Sequence, residues 1–175
     1  MRELLVQMKQ TAELGDNEVN SVISLKQQYW AYDTVKQIIW FRANLLPDDL
    51  HLMVTMEGTL IAYLNAVNVD VTVDQSLHRM LGIGNVCVDR KHAHTGLGGI
   101  LMACINAHIR QTQCCGILLC RRQLIGFYDK FDWKKYDAET VYINGQPYEH
   151  FIMTFDPGKR IPKDGTTLIE ISRNF

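Results

Sequence analysis

No stretch of this 175-residue chain approaches the ~18 consecutive apolar residues of a membrane-spanning helix, and the N-terminus lacks the apolar core of a secretory signal. An excess of one charge is missing too. Eighteen Lys and Arg stand against nineteen Asp and Glu, a net charge of −1, and the charges are scattered. Neither nucleic acid nor an anionic membrane is therefore an expected partner. The five cysteines show no metal-ligand spacing, and adjacent Cys114-Cys115 suits neither a zinc knuckle nor a routine disulfide. No metal is expected, and reduced thiols in a cytoplasmic protein are the simplest account. Repeats, low-complexity segments and linkers are absent as well. What remains is one compact soluble domain over residues 1–175, with 47% hydrophobic composition to build its core.

The most informative stretch is Gly84 to Met102, GNVCVDRKHAHTGLGGILM. The apolar run Val86-Cys87-Val88 ends a strand pattern. A polar, basic loop from Asp89 to Thr95 leads to Gly96-Leu97-Gly98-Gly99. From there Leu97, Leu101, Cys104, Ile105 and Ile109 keep helical spacing. A strand, a glycine-rich turn and a helix start make an anion site, because the first amides of a helix are unpaired and carry partial positive charge. No Lys-Ser or Lys-Thr follows the glycines, which excludes a P-loop, and Leu101 occupies the third glycine position of a dinucleotide fingerprint.

Around this stretch the pattern predicts an edge strand over residues 2–8 and helices over 18–30 and 33–45, the second capped by Asp33-Thr34 and stopped by Pro47. Their aromatics, Tyr29, Trp30, Tyr32, Trp40 and Phe41, read chiefly as core, with one or two lining an acceptor pocket as the functional alternative. Strands follow over 50–56 and 59–69, joined by Glu57-Gly58, and another over 77–88, interrupted by Gly82 and Gly84. After the motif helix, Gly116 to Cys120 fits a buried parallel strand, and a short helix from Leu124 to Lys130 carries Phe127-Tyr128. Asn144-Gly145 predicts a hairpin between residues 140–143 and 148–155. Residues 166–172 read as one more strand or a flap over the site, and the last three as a loose end.

The pattern V-x-V-D-x-x-x-x-x-x-G-x-G-G-x-L over Val86–Leu101 resembles motif A of the GCN5-related N-acetyltransferases (GNAT), and ILLCRRQLIGFYDKFDW over Ile117–Trp133 resembles the family's second signature. Three positions depart from it. Ala93 stands where Arg or Gln is usual, Arg121 where Asn is common, and Asp132 where Gly is usual. The resemblance implies an α/β fold with a mixed central sheet of about six to seven strands, flanked by helices, with two parallel strands splayed by a bulge at Gly82 or Gly84. It implies acetyl-CoA as co-substrate, with its pyrophosphate on the amides of Ala93, His94, Thr95, Gly96, Leu97, Gly98 and Gly99. The main chain of Val86, Cys87 and Val88 would align the pantetheine arm, one N–H polarising the thioester carbonyl. Lys91, His92 and His94 would add charge or simply be solvated.

Tyr128 is the implied general acid, since a phenol is protonated at neutral pH and can give its proton to a departing thiolate. Asp74, His78 and Glu149 are base candidates by type, and none is singled out. The acceptor implied is a primary amine on a small molecule, and a second copy of the chain is a candidate partner. Within the family, C-R-x-x-L-x-x-F-Y-x-x-x-x-W faintly resembles the aminoglycoside 2′-N-acetyltransferase and nodulation acyltransferase branch. The alternative is a module that keeps the fold and binds coenzyme without turnover, for which Ala93 and Asp132 speak.

Overall fold

The computed structural model describes residues 3–162 and 167–175. Its contacts divide into two compact units, one of Met1–Val67, Gly84–Met102 and Phe175, the other of Asn68–Ile83 and Ala103–Asn174.

The first unit holds an antiparallel ladder of β1 (Leu4–Gln10), β2 (Leu50–Met56) and the first part of β3 (Thr59–Val73). β1 is an edge strand, as its sequence predicts, and among the described residues it pairs with β2 alone. Glu57 and Gly58 join β2 to β3 with φ of 49° and 78°. Two left-handed residues in a row give a turn whose twist matches that of the strands. Helix α1 (Asp16–Gln27) begins where Glu18 reaches back to accept the Gly15 N–H at 3.1 Å. Helix α2 (Thr34–Asn44) begins at Asp33, whose carboxylate accepts the Lys36 N–H at 2.8 Å. The buried stripe of α1 is Val22, Ile23, Leu25 and Lys26. Phe41 of α2 stacks on His51 of β2, ring centroids 5.4 Å apart. His51 is fully buried and bonded on both ring nitrogens, to the Tyr63 hydroxyl at 2.7 Å and the Thr11 hydroxyl at 2.9 Å.

The second unit is a mixed sheet. β4 (Ser76–Val88), of which residues 76–83 belong to this unit, follows β3, then come β5 (Gly116–Cys120), β6 (Lys134–Tyr136), β7 (Thr140–Ile143), β8 (Gln146–Pro147), β9 (Phe151–Phe155) and β10 (Leu168–Ile171). Their order is β6-β9-β5-β4-β3-β10-β7-β8. β4 and β5 are parallel, Leu81–Ile83 against Gly116–Leu118, and so are β7 and β10. A parallel pair needs a long crossover, which α3 (Leu97–Gln111) supplies. Gly116 opens β5 under Trp133 and Ile109, and a Cβ there would lie 2.5 Å and 2.8 Å from their side chains. Trp133 is fully buried and donates its indole N–H to Asn106 at 2.8 Å, while Asn106 donates to the Phe131 carbonyl at 2.8 Å.

The mixed α/β class agrees with the expectation, but ten strands occur among the described residues rather than six or seven. The additions are short, such as three-residue β6 and two-residue β8. The Asn144-Gly145 turn forms with φ of 50° and 72°, yet its second arm is β8 with one further bond, from the Tyr148 N–H to the Val141 carbonyl at 2.9 Å, and not the whole of residues 148–155. The chain instead resumes at Phe151 and pairs with β5 and β6. The C-terminal strand forms as β10, while its anticipated first residue, Thr166, lies outside the described residues, as does Arg2 of the first strand. The last residue is not loose. The main chain of Phe175 abuts Gly84, where a Cβ would lie 2.4 Å from its carbonyl carbon.

Candidate active site

In the first unit, the end of β4 and the loop beyond it are tied down from α1. Tyr29, just past the helix, donates its hydroxyl to the Val88 carbonyl. Gln28 donates to the Asp89 carboxylate at 2.8 Å and accepts the Arg90 N–H at 2.9 Å. Asp89 also accepts the Lys91 N–H at 2.8 Å and faces His92 Nδ1 at 3.3 Å. The Gln28 bond above all, then those from Lys91 and His92, holds the Asp89 carboxyl below its ordinary pKa. His92 is thereby committed to the loop itself. Within the Val86–Val88 run the Val88 carbonyl is already taken.

The irregularity expected at Gly82 or Gly84 lies at Asn85, the one residue of β4 with a left-handed φ, 51°. Gly84 is needed for the close approach of Phe175 instead. Asn85 donates to Asn65 Oδ1 at 2.6 Å, and the buried Nδ2 of Asn65 is left without a partner among the described residues.

The loop then turns through His94 and Gly96, with φ of 62° and 90°. The first rung of α3 is the Ile100 N–H to the Gly96 carbonyl at 3.1 Å, so the amides of Leu97, Gly98 and Gly99 precede the ladder and have no acceptor within the helix. A Cβ built on Gly96 meets nothing within 4 Å, which leaves open space before these amides. Thr95 pins the turn through its hydroxyl, 2.6 Å from the His92 carbonyl. Ala93 departs from expectation, because its N–H is spent on the Arg90 carbonyl at 3.3 Å. Exposed Arg90, Lys91 and His94 surround the turn with basic side chains. Open amides at a helix N-terminus beside basic residues fit a phosphate-bearing ligand.

A cavity of about 450 Å³ opens beside Asn85. Trp30, Tyr32 and Trp40 supply flat walls, and Lys26 and Lys36 supply its charge. The aromatic set is thus divided, since Phe41 is core and Tyr29 braces the loop. Lys26 was not anticipated, although it shares the apolar stripe of Val22 and Ile23 at four- and three-residue spacing. It is 5% exposed, and its ammonium lies 4.4 Å from the centroid of the Trp40 ring. Burial pulls its pKa down to about 8, weakly opposed by Cys87. Burial likewise pushes the Cys87 thiol up to about 12 and draws His51 down to about 4.

Tyr128 belongs to the second unit, on the short helix α4 (Ile125–Asp129). It is 6% exposed, and its carbonyl accepts the Phe131 and Trp133 N–H groups. Burial, helped by Cys120, raises the phenol pKa further, so it stays protonated. Asp132, where the family has glycine, takes the left-handed φ of 65° that a glycine would serve. Among the base candidates, Asp74 accepts the Thr167 and Leu168 N–H groups at 2.9 Å each, so its carboxylate holds strands together. His78 has a buried Nε2 without a partner among the described residues, and Glu149 is exposed. All five cysteines are free thiols. Among the described residues, no group of three His, Cys, Asp or Glu is arranged to hold a metal ion.

No curated protein matches the sequence. Solved structures do match the fold. An acyl-CoA N-acyltransferase from Pseudomonas aeruginosa aligns with a TM-score of 0.64 at 21% identity, covering 87% of this chain and 99% of that one. The GNAT family N-acetyltransferase YhbS from Escherichia coli, solved with CoA, gives 0.67 at 17% identity, covering 97% and 90%. A GNAT family acetyltransferase from Brucella melitensis, solved with acetyl-CoA, gives 0.60 at 17%, covering 93% and 95%. Residues 10–136 match the family model described as an acetyltransferase (GNAT) domain. That span runs from the end of β1 to the end of β6 and takes in both signatures, and the chain belongs to the GNAT acetyltransferase family.

Proposed function

We propose that the chain is an acetyl-CoA-dependent N-acetyltransferase, a single domain that transfers an acetyl group to the primary amine of a small molecule. The observation that carries this reading is the open start of α3, where the amides of Leu97–Gly99 have no helical acceptor and Gly96 leaves room before them. These amides, with those of His94, Thr95 and Gly96, hold the pyrophosphate. Ala93 contributes neither a side-chain contact nor its N–H. Acetyl-CoA supplies the activated acetyl group as a thioester. The N–H groups of the Val86–Val88 run align the pantetheine arm, and one of them polarises the thioester carbonyl. The acceptor nitrogen bonds to the carbonyl carbon as the carbon–sulfur bond breaks. The nitrogen sheds a proton to solvent, and the thiolate gains one from the Tyr128 hydroxyl, which solvent then reprotonates. No side chain is assigned as base. The five free thiols support a reducing compartment, the cytoplasm. Among the described residues no helix is long and apolar enough to cross a membrane.

Calorimetric titration of acetyl-CoA, repeated with Gly98→Glu, tests the coenzyme site. A bulky carboxylate in the first turn of α3 clashes with and repels the pyrophosphate. Binding to the natural protein that vanishes in the folded variant is the expected result. Absence of binding up to millimolar coenzyme refutes the reading, and binding without thiol release for any amine replaces it with a non-catalytic coenzyme-binding module.

A further inference from the structure

The Lys26 ammonium has no carboxylate and no hydrogen-bond acceptor among the described residues, and the face of Trp40 is its one close partner. A buried cation without a counter-charge is costly, and a ring face compensates only part of the lost hydration. The groups facing Lys26 do not supply the missing charge. Cys87 on β4 and His51 on β2 are held neutral by burial at pH 7, and Lys36, on the α2 wall, is a second cation. Asp33 lies 3.7 Å from Lys36 but does not line the cavity. The cavity is therefore positive, flat-walled and within the ~300–1,000 Å³ range of small-molecule sites. Asn85 in its lining sets it directly before the Val86–Val88 run.

We propose that this cavity is the acceptor pocket and that it selects amines carrying a carboxylate on a flat apolar body, the chemistry of an aromatic amino acid, with Lys26 as the carboxylate's partner. The proposal rests on the acetyltransferase reading for the word acceptor, but not for the anion preference. Trp30, Tyr32 and Trp40 stack on the body, and Lys26 supplies the charge that rejects a polycation. An aminoglycoside, which brings several ammonium groups, is the wrong partner for this pocket.

Two arms keep the failures apart. In the first, N-acetyl-L-phenylalanine and its uncharged amide are titrated separately into the protein, with tryptophan fluorescence and calorimetry as readouts. Trp30 and Trp40 report on the cavity, while Trp133 is fully buried in the other unit. The acid should bind about ten-fold or more tightly than the amide at pH 7. That advantage should disappear in Lys26→Met and shrink as Lys26 loses its proton at higher pH. Equal binding of acid and amide, or a preference that survives Lys26→Met, overturns the proposal. In the second arm, thiol release from acetyl-CoA is compared for L-phenylalanine, its amide, phenethylamine and kanamycin. Turnover led by phenylalanine supports the proposal, and turnover led by the amide, phenethylamine or kanamycin overturns it. Preferential binding of the acid with no thiol release from any amine leaves the anion pocket standing and removes the enzyme reading instead.

Discussion

Replacing Lys26 with methionine should make the protein more stable. The unfolded chain protonates this amine below its ordinary pKa of 10.5, whereas the folded chain does so only below about 8. Between those values the unfolded state binds more protons, so the lysine's presence makes stability climb with pH from about 8 to 10.5 and leaves a constant deficit below 8. At 1.36 kcal/mol per pKa unit the deficit is about 3 kcal/mol at pH 7. Methionine has a similar length and carries no charge. It forfeits the attraction to Trp40, ~0.5–2 kcal/mol, so the net gain is about 1–3 kcal/mol. For a chain of this size that is a rise in Tm of roughly 5 °C. Urea unfolding at pH 7 and pH 10, compared between the two proteins, measures both parts. The variant should be more stable at pH 7, and the gap should narrow at pH 10. A variant less stable than the natural protein at pH 7, or a gap that does not change with pH, would refute the claim that Lys26 is a partly desolvated cation without a counter-charge.

Tyr128→Phe should leave acetyl-CoA affinity unchanged and slow turnover about 10²-fold, and unchanged turnover on an established acceptor removes Tyr128 from its role. Asp132→Gly relieves a left-handed φ and should stabilise by about 1 kcal/mol in thermal unfolding, because the exposed Arg110 pair it loses, at 3.8 Å, contributes little. His51 titrates at about 4 in the folded state and near 6.5 when unfolded, so its contribution, about 3 kcal/mol, is present above pH 6.5 and lost as pH falls to 4. Urea midpoints across that window should fall for the natural protein and flatten for His51→Gln.

What the sequence discloses divides by the range of the interactions involved. Capping by Asp33, the Glu57-Gly58 turn and the glycine-rich start of α3 depend on a few adjacent residues, and each forms where its residues predict. The second arm of the Asn144-Gly145 hairpin depends on which strand residues 151–155 prefer. Alternating apolar residues do not specify a partner, and residues 151–155 pair with β5 and β6 instead. The distortion of β4 sits at Asn85, not at a glycine, because Asn tolerates the left-handed region and finds a partner in Asn65, twenty residues earlier. Glycine at 84 answers instead to Phe175, a neighbour no local pattern announces.

The site follows the same division. The glycine-rich turn and the open start of α3 are legible because main-chain amides do not depend on side-chain identity, and on the proposed reading Ala93 therefore does not abolish the coenzyme site. The acceptor was not legible, and the resemblance of the second signature to an aminoglycoside branch shows why. Its distinctive residues do structural jobs: Trp133 anchors Asn106, Asp132 occupies a left-handed turn, and Gly116 just before the signature makes room for the indole. Such residues report the fold shared by many acetyltransferases and carry no information about which amine is bound. On the proposed reading, specificity is written in α1, α2 and the segment between them, where the walls of the cavity lie. There a lysine sits in an apolar helical stripe, where burial lowers its pKa to about 8. A cation whose one close partner among the described residues is the face of Trp40 suits an anionic partner from outside the fold, which is the ground of the proposed acceptor class.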